Sequence, residues 1–162
     1  MALIELENHI FQTEVKGGHK EKFDDYNSHV RKEIETGNKV RVSSIEIQAG
    51  HLVYGIATTY EIYDKKTEKT KKIVIKHKGT CVDKTEFYTL DLDADEEFTG
   101  IIGSAGEIVD CLTFVTSKRR MVKAGGSGGD KFKMAPPKGM RLIALGGSND
   151  KYLHSFYAYF GV

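Results

Sequence analysis

Two short stretches, 106–110 and 125–129, hold the residues best suited to chemistry. Gly106-Glu107-Ile108-Val109-Asp110 is a turn that runs into an apolar strand, Cys111 to Val115, and presents backbone N–H groups beside one carboxylate. About fifteen residues further on, Gly125-Gly126-Ser127-Gly128-Gly129 offers more N–H groups with no side chains in the way. Donors gathered round a single carboxylate suit a small neutral ligand rich in hydroxyls, and a sugar fits that description best. On the residues alone the loop also reads as a flexible hairpin, and Asp110 as a turn aspartate bonded to local N–H groups. The spacing of the two stretches favours a shared site. A phosphate loop is excluded, because no Gly-Lys-Ser/Thr and no helix follow.

Other chemistry finds little support. Asp91-Leu92-Asp93-Ala94-Asp95 has the look of a calcium loop, but Glu96 replaces the needed glycine and Ile102 the bidentate Glu, so an acidic turn is expected. The six histidines (His9, His19, His29, His51, His77 and His154) lack the i, i+4 pairing of a zinc helix. Cys81 and Cys111 are too few for a thiolate metal site and are expected as two buried free thiols, with a single bridge the alternative. No nucleophile–base grouping has a supporting local motif, so neither catalysis, metal nor cofactor is expected.

The elements that must position the turn and loop are strands. The 162 residues are expected to form one domain, 1–162, large enough to bury a core without staples. Lys+Arg (24) and Asp+Glu (23) nearly cancel, which argues against nucleic acid as a partner, and Lys118-Arg119-Arg120 reads as a solvated strand end. No apolar run approaches 18 residues, so membrane insertion is not expected. The start, MALIELENHIF, lacks the features of a signal peptide, which points to the cytoplasm or to secretion by another route.

Period-two patterning is nearly continuous. Strands are expected at Val40–Ile47, Ile56–Tyr63, Lys72–Ile75, Phe98–Ile102, Cys111–Thr116, Met140–Leu145 and Leu153–Phe160. His29–Glu35 is expected as a loop or irregular strand, and Tyr152, Tyr157 and Tyr159 as core and sheet-face aromatics. With no βαβ pattern, the fold class is all-β, built of hairpins. One layout recurs three times, at Ala49–Tyr54, Ala105–Asp110 and Asn149–His154. Gly17-Gly18-His19-Lys20-Glu21-Lys22-Phe23 is a degraded echo of the segment Gly125–Phe132. Three copies of one turn suggest three similar sheets round a pseudo-threefold axis.

These pieces resemble the jacalin-related lectins. The likeness runs from GG…FDD (Gly17, Gly18, Phe23, Asp24, Asp25) through VSSIEIQAGHLVYGIATTYEI and FTGIIGSAG to CLTFVTSK and LHSFYAYF, with GSAGEIVD and CLTFVTSK its most specific parts. It implies a β-prism I of three four-stranded antiparallel sheets, and a non-catalytic lectin that binds glycans or glycoproteins and forms a homodimer. By correspondence, sugar would lie between a Gly-x-x-x-Asp turn and a glycine loop. Asp110 would accept from two sugar hydroxyls, and the N–H groups of Glu107, Ile108 and Gly129 would donate, with Val109 and Gly128 completing the site. In the usual family site, Asp150 replaces the glycine and His154 the aspartate; with Gly17, Gly18, Lys151 and Tyr152 it is expected as a degenerate second site. The third copy has Tyr54 at the aspartate position and the Lys-rich stretch Lys65–Lys72 at the glycine-loop position, and is expected to be empty. An unbroken chain with Ile108 in the turn favours mannose- or glucose-type glycans. The alternative is a prism kept as a protein-interaction module with decayed sugar sites.

Overall fold

The structure, a computed structural model, describes residues 3–6, 9–18, 22–81 and 83–162. His19, Lys20 and Glu21, the middle of the first glycine segment, lie outside the described residues. In chain order the strands are β1 (Leu3–Glu5), β2 (Phe11–Thr13), β3 (Lys16–Gly17), β4 (Lys22–Asp24), β5 (Lys39–Ala49), β6 (Val53–Asp64) and β7 (Lys69–His77). They continue with β8 (Glu86–Asp91), β9 (Phe98–Ala105), β10 (Val109–Thr116), β11 (Met121–Gly125), β12 (Asp130–Met134), β13 (Arg141–Asn149) and β14 (Leu153–Gly161).

The strands make three antiparallel sheets on one plan. A long central hairpin (β5–β6, β9–β10 or β13–β14) takes an outer strand on each side. Two sheets have four strands, in the orders β7-β6-β5-β8 and β11-β10-β9-β12. The third draws on both ends of the chain, which fastens the first residues to the last. There β2 and β3 pair with successive parts of β14, β4 pairs with β13, and β1 adds a further edge, so this sheet has six strands instead of four. Inward side chains of all three sheets merge into one core, with Phe98, Phe114 and Phe156 packed edge to face at 5.8 and 5.9 Å. Cys81 and Cys111 are both buried and free.

One expectation is overturned. Residues 29–35 are helical: Tyr26–Val30 form a π-helical turn that continues into α1 (Arg31–Glu35). The apolar spacing that drives it is Tyr26, Val30 and Ile34, four apart, with the first two buried and the third packed on the core. Asp24 Oδ1 accepts from the Asn27 N–H at 2.9 Å where the turn begins, and an Arg31–Glu35 ion pair at 3.1 Å supports the end.

In the Phe23-Asp24-Asp25 segment, half-buried Asp24 braces its own sheet and buried Asp25 reaches the next one. Tyr157 and Tyr159 of β14 both donate to Asp24 Oδ2, at 2.8 and 2.6 Å. Burial, then these bonds, push both phenols well above their ordinary range. Asp25 accepts from Tyr60 of β6 at 2.8 Å and faces His77 of β7 at 2.7 Å. These two tyrosines of β14 are therefore core residues, as their spacing suggests.

The acidic turn 91–95 is organised by an ion pair between buried Glu96 and exposed Arg120. Glu96, fully inaccessible, is held by Arg120 (3.0 and 2.5 Å), the Thr116 hydroxyl (2.5 Å) and the Asp93 N–H (3.0 Å). The Arg120 guanidinium in the first place brings the Glu96 carboxyl down to about 2. A carboxyl depressed in the folded state stabilises it above the unfolded value, near 4.5, and the gain is lost as pH falls towards 2. Glu96→Gln is therefore expected to lower the urea midpoint clearly at pH 7 and hardly at all near pH 2. An equal loss at both pH values would refute this role.

Candidate functional site

Each central hairpin closes through the same turn. Ala105 pairs with Val109, Ala49 with Val53 and Asn149 with Leu153, and a register shift follows or precedes each pairing. The closing bonds also repeat: Gly106 N–H to Ile108 O at 3.0 Å, Gly50 N–H to Leu52 O at 3.0 Å, and Asp150 N–H to Tyr152 O at 3.1 Å. In the 106–110 turn the shift falls on Asp110, which breaks the ladder and frees its side chain from alternation.

That side chain meets the glycine loop. A Cβ on Gly128 would stand 2.6 Å from Asp110 Oδ2, and one on Gly129 2.5 Å from Oδ1, so only glycine leaves room for the carboxylate. Gly125, at φ +111°, lies so close to the Asp110 carbonyl that a Cβ would come within 2.1 Å, and the Gly126 N–H bonds that carbonyl at 2.8 Å. Among the described residues nothing donates to the Asp110 carboxylate, and the N–H groups of Glu107 and Ile108 have no acceptor. Gly106 and Glu107 are exposed, and Val109 is buried beneath the turn. The structure thus brings Gly106, Glu107, Ile108, Asp110, Gly128 and Gly129 to one place, with both kinds of hydrogen-bonding group unspent.

The other two turns are filled by their own side chains. Asp150 Oδ1 accepts from His154 Nε2 at 2.6 Å, from the Lys151 N–H, and more loosely from the Tyr152 N–H at 3.4 Å. The His154 bond holds the Asp150 carboxyl below its usual range. The N–H groups that stand open at Glu107 and Ile108 are here satisfied within the turn. In the third copy the Tyr54 phenol crosses the space and donates to the Asp83 carbonyl at 2.8 Å, close enough to Gly50 that a Cβ would lie 2.4 Å from its hydroxyl.

The glycine loops also tie the turns into a ring, which the sequence did not reveal. Gly17 packs on the His154 carbonyl and Gly18 on that of Glu107; Gly125 packs on Asp110 and Gly126 on His51. Gly79 closes the circle, with Cβ clearances of 2.2 Å to the Tyr54 carbonyl and 2.7 Å to that of Lys151. The third glycine position is therefore Gly79. Lys65–Lys72 instead span the β6–β7 hairpin at the other end of those strands. A lone glycine without a repeat partner was too weak a signal to find.

No group of three or more His, Cys, Asp or Glu suited to a metal ion occurs among the described residues. None of their helices is long and apolar enough to cross a membrane.

Three like sheets, with one turn and one glycine loop left open at the end of the prism, define the architecture of a jacalin-type lectin. The sequence matches the jacalin-like lectin domain over residues 13–159, and the chain belongs to that family. Family membership supports carbohydrate binding as its function class. Jacalin-related lectin 5 of Arabidopsis thaliana is 25% identical over 131 residues, 78% of this chain but 17% of that protein, so the chain spans about a sixth of that relative's length. Among solved structures, artocarpin in complex with mannopentose superposes with a TM-score of 0.75 at 16% identity, covering 95% of this chain and 99% of artocarpin. A mannose-binding lectin from champedak gives 0.73 at 16% identity (97% and 100% covered), and Malaysian banana lectin 0.70 at 17% (92% and 96%). At these identities the likeness is one of fold.

Proposed function

We propose that the protein is a non-catalytic lectin for mannose- or glucose-type glycans, with one working site per chain between turn 106–110 and loop 125–129. The observation that carries this reading is the contrast between the three turns. At the aspartate position of its turn Asp110 is left without a donor among the described residues, while Asp150 is bonded within its own turn and Tyr54 is committed to the Asp83 carbonyl. A sugar would give two adjacent hydroxyls to Asp110 and take the N–H groups of Glu107, Ile108 and Gly129, without metal. The mannose preference is supported by Ile108 in place of an aromatic residue, and by the oligomannose and mannose ligands named for artocarpin and the champedak lectin.

Such a site holds a monosaccharide weakly, at Kd on the order of 1 mM or about −4 kcal/mol, so useful avidity calls for a homodimer or a multivalent glycan. The test is a glycan array with free mannose as competitor. Signal on mannose-terminated glycans that free mannose removes is the expected result. A blank array at high protein concentration would overturn the reading and favour a protein-interaction module, for which the two self-filled turns are the supporting observation.

A further inference from the structure

Positive charge is unevenly spread along a chain whose charges nearly cancel overall. Residues 111–138 hold Lys118, Arg119, Arg120, Lys123, Lys131, Lys133 and Lys138 against a single acid, Asp130. Two of these are spent close by, Lys118 on Asp93 and Asp95 at 3.2 and 2.6 Å, and Arg120 on Glu96. Lys123, Lys131 and Lys133 are not, since among the described residues none of them has an ion-pair or hydrogen-bond partner. All three point outwards from the sheet β11-β10-β9-β12. Strand side chains alternate, and the neighbours Val122, Ala124, Phe132 and Met134 are buried in the core.

Cross-strand pairing arranges this face. Lys133 stands opposite Ile102, Ile102 opposite Thr113 and Thr113 opposite Lys123, so one row crosses all four strands with a lysine at each end. Three spacings of about 4.8 Å set those two lysines about 14 Å apart. Lys131 stands opposite Ser104 in the row on one side, and Met121 opposite Val115 in the row on the other. Between the lysine edges the outward positions of β9 and β10 are Gly100, Ile102, Ser104, Cys111, Thr113 and Val115, without an acid among them. Ile102 and Met121 are 47% and 61% exposed. The small residues in the middle leave a trough of about 490 Å³, walled by Lys123 and Lys131 and lined by the hydroxyl residues Ser104, Thr113 and Ser127.

We propose that this sheet face docks the protein on an anionic phospholipid surface, with a lipid phosphate seated in the trough between Lys123 and Lys131. Unspent lysines on a flat face complement the negative charge of such a surface, and Ile102 and Met121 suit the apolar boundary just beneath it. The contact is made at headgroup level and needs no membrane insertion. A nucleic acid is a poorer fit, because the face has no aromatic side chain on which a base could stack. The other lysine-rich stretch, 65–72, is partly neutralised, with Lys71 and Lys72 spent on Glu33 and Glu61 at 3.2 and 3.9 Å. Docking of this kind does not depend on the sugar site. On the lectin reading it would also serve that site, since turn 106–110 closes the β9–β10 hairpin of the docked sheet and would lie beside the headgroups, where membrane glycans are met.

The experiment is sedimentation of the whole protein with vesicles of phosphatidylcholine, alone or with phosphatidylserine added. Each lysine near an anionic surface contributes about a fivefold gain, so three predict roughly a hundredfold preference for the phosphatidylserine vesicles. Salt at about 1 M, where charges are screened within about 3 Å, should remove that preference. The triple variant Lys123→Glu, Lys131→Glu, Lys133→Glu should lose it as well, with the wild-type thermal midpoint kept. Should that variant fail to fold, Lys123→Ala serves in its place and should lose about fivefold. A matched variant, Lys65→Glu, Lys66→Glu, Lys69→Glu, makes the same charge change on the β6–β7 hairpin and should keep most of the preference. Equal loss in both triple variants would mean that net charge, and not this face, attracts the vesicles, and overturns the proposal. So does a wild type without any phosphatidylserine preference, or one that binds only soluble polyglutamate, which would give the face to an acidic protein. Free mannose should leave vesicle binding unchanged, and release by mannose would move the contact to the Asp110 site.

Discussion

Asp110→Ala is expected to abolish sugar binding while leaving the fold and its thermal midpoint nearly unchanged. The carboxylate would accept two hydroxyls, and hydrogen bonds to a charged group contribute about 1.5–3 kcal/mol each. Losing both costs roughly 3–6 kcal/mol, or at least about a hundredfold in affinity at 1.4 kcal/mol per tenfold. From a starting Kd near 1 mM that leaves nothing measurable by titration. The fold should survive because Asp110 loses no described side-chain partner, and its carbonyl, which receives the Gly126 N–H at 2.8 Å, is untouched. Asp110→Asn is a sharper control, since it keeps the shape but has one acceptor oxygen and an NH2 group, and it too should bind far more weakly. Asp150→Ala should retain binding, because that carboxylate serves its own turn. Sugar affinity unchanged in folded Asp110→Ala would sink the site assignment.

Much of the architecture was legible before any coordinates. The central hairpins lie where Val, Ile, Thr, Tyr and Phe alternate with polar residues, and the three turns were visible as one repeated layout because their closing bonds impose it. Seven strands escaped notice: the two- and three-residue β1, β2, β3 and β4, too short to show a period, and β8, β11 and β12, which are edge strands of their sheets. The exposed positions of these last three include Glu86, Asp91, Lys123, Asp130, Lys131 and Lys133, and charge at an edge guards against pairing with other chains while diluting the apolar signal. The helical segment was missed because its apolar set begins at Tyr26, ahead of the stretch that looked helical, and because π-helical winding blurs the usual period.

The site shows a different boundary. Proximity of Asp110 to Gly128 and Gly129 was an expectation from correspondence between repeats, and the clearances around those glycines agree with it. Replacement of the family aspartate by His154 was plain in the sequence. What no sequence feature announced is that Asp150, standing where the family has glycine, folds back on His154 and on the turn's own N–H groups. Sequence records a missing group readily. It does not record that another side chain has moved into the vacated role, since that depends on the direction of two side chains four residues apart.

The largest stability effect is expected at Phe114, and it should leave sugar binding intact. Phe114 of β10 is fully buried and packs edge to face with Phe98 of β9 and with Phe156 of β14, so it joins two of the three sheets. Phe-to-Ala changes in a close-packed core cost about 3–5 kcal/mol, partly through the cavity left behind. For a protein of this size each kcal/mol lowers Tm by about 2–4 °C, so Phe114→Ala should melt roughly 6–20 °C lower. Phe87→Ala is the counterpart, because Phe87 is 53% exposed and its loss should stay within about 0.5 kcal/mol. Phe114 and Asp110 lie on one strand four residues apart, about 13 Å at 3.3 Å per residue, and the Asp110 cradle is built from the turn and loop backbone. Below its lowered transition, Phe114→Ala should therefore bind mannose as wild type does, the reverse of Asp110→Ala. Calorimetric melting paired with titration at 10 °C separates the two effects. Loss of affinity in a still-folded Phe114→Ala protein would mean that the cradle is shaped by the core packing beneath it, and that the glycine contacts alone do not hold Asp110 in place.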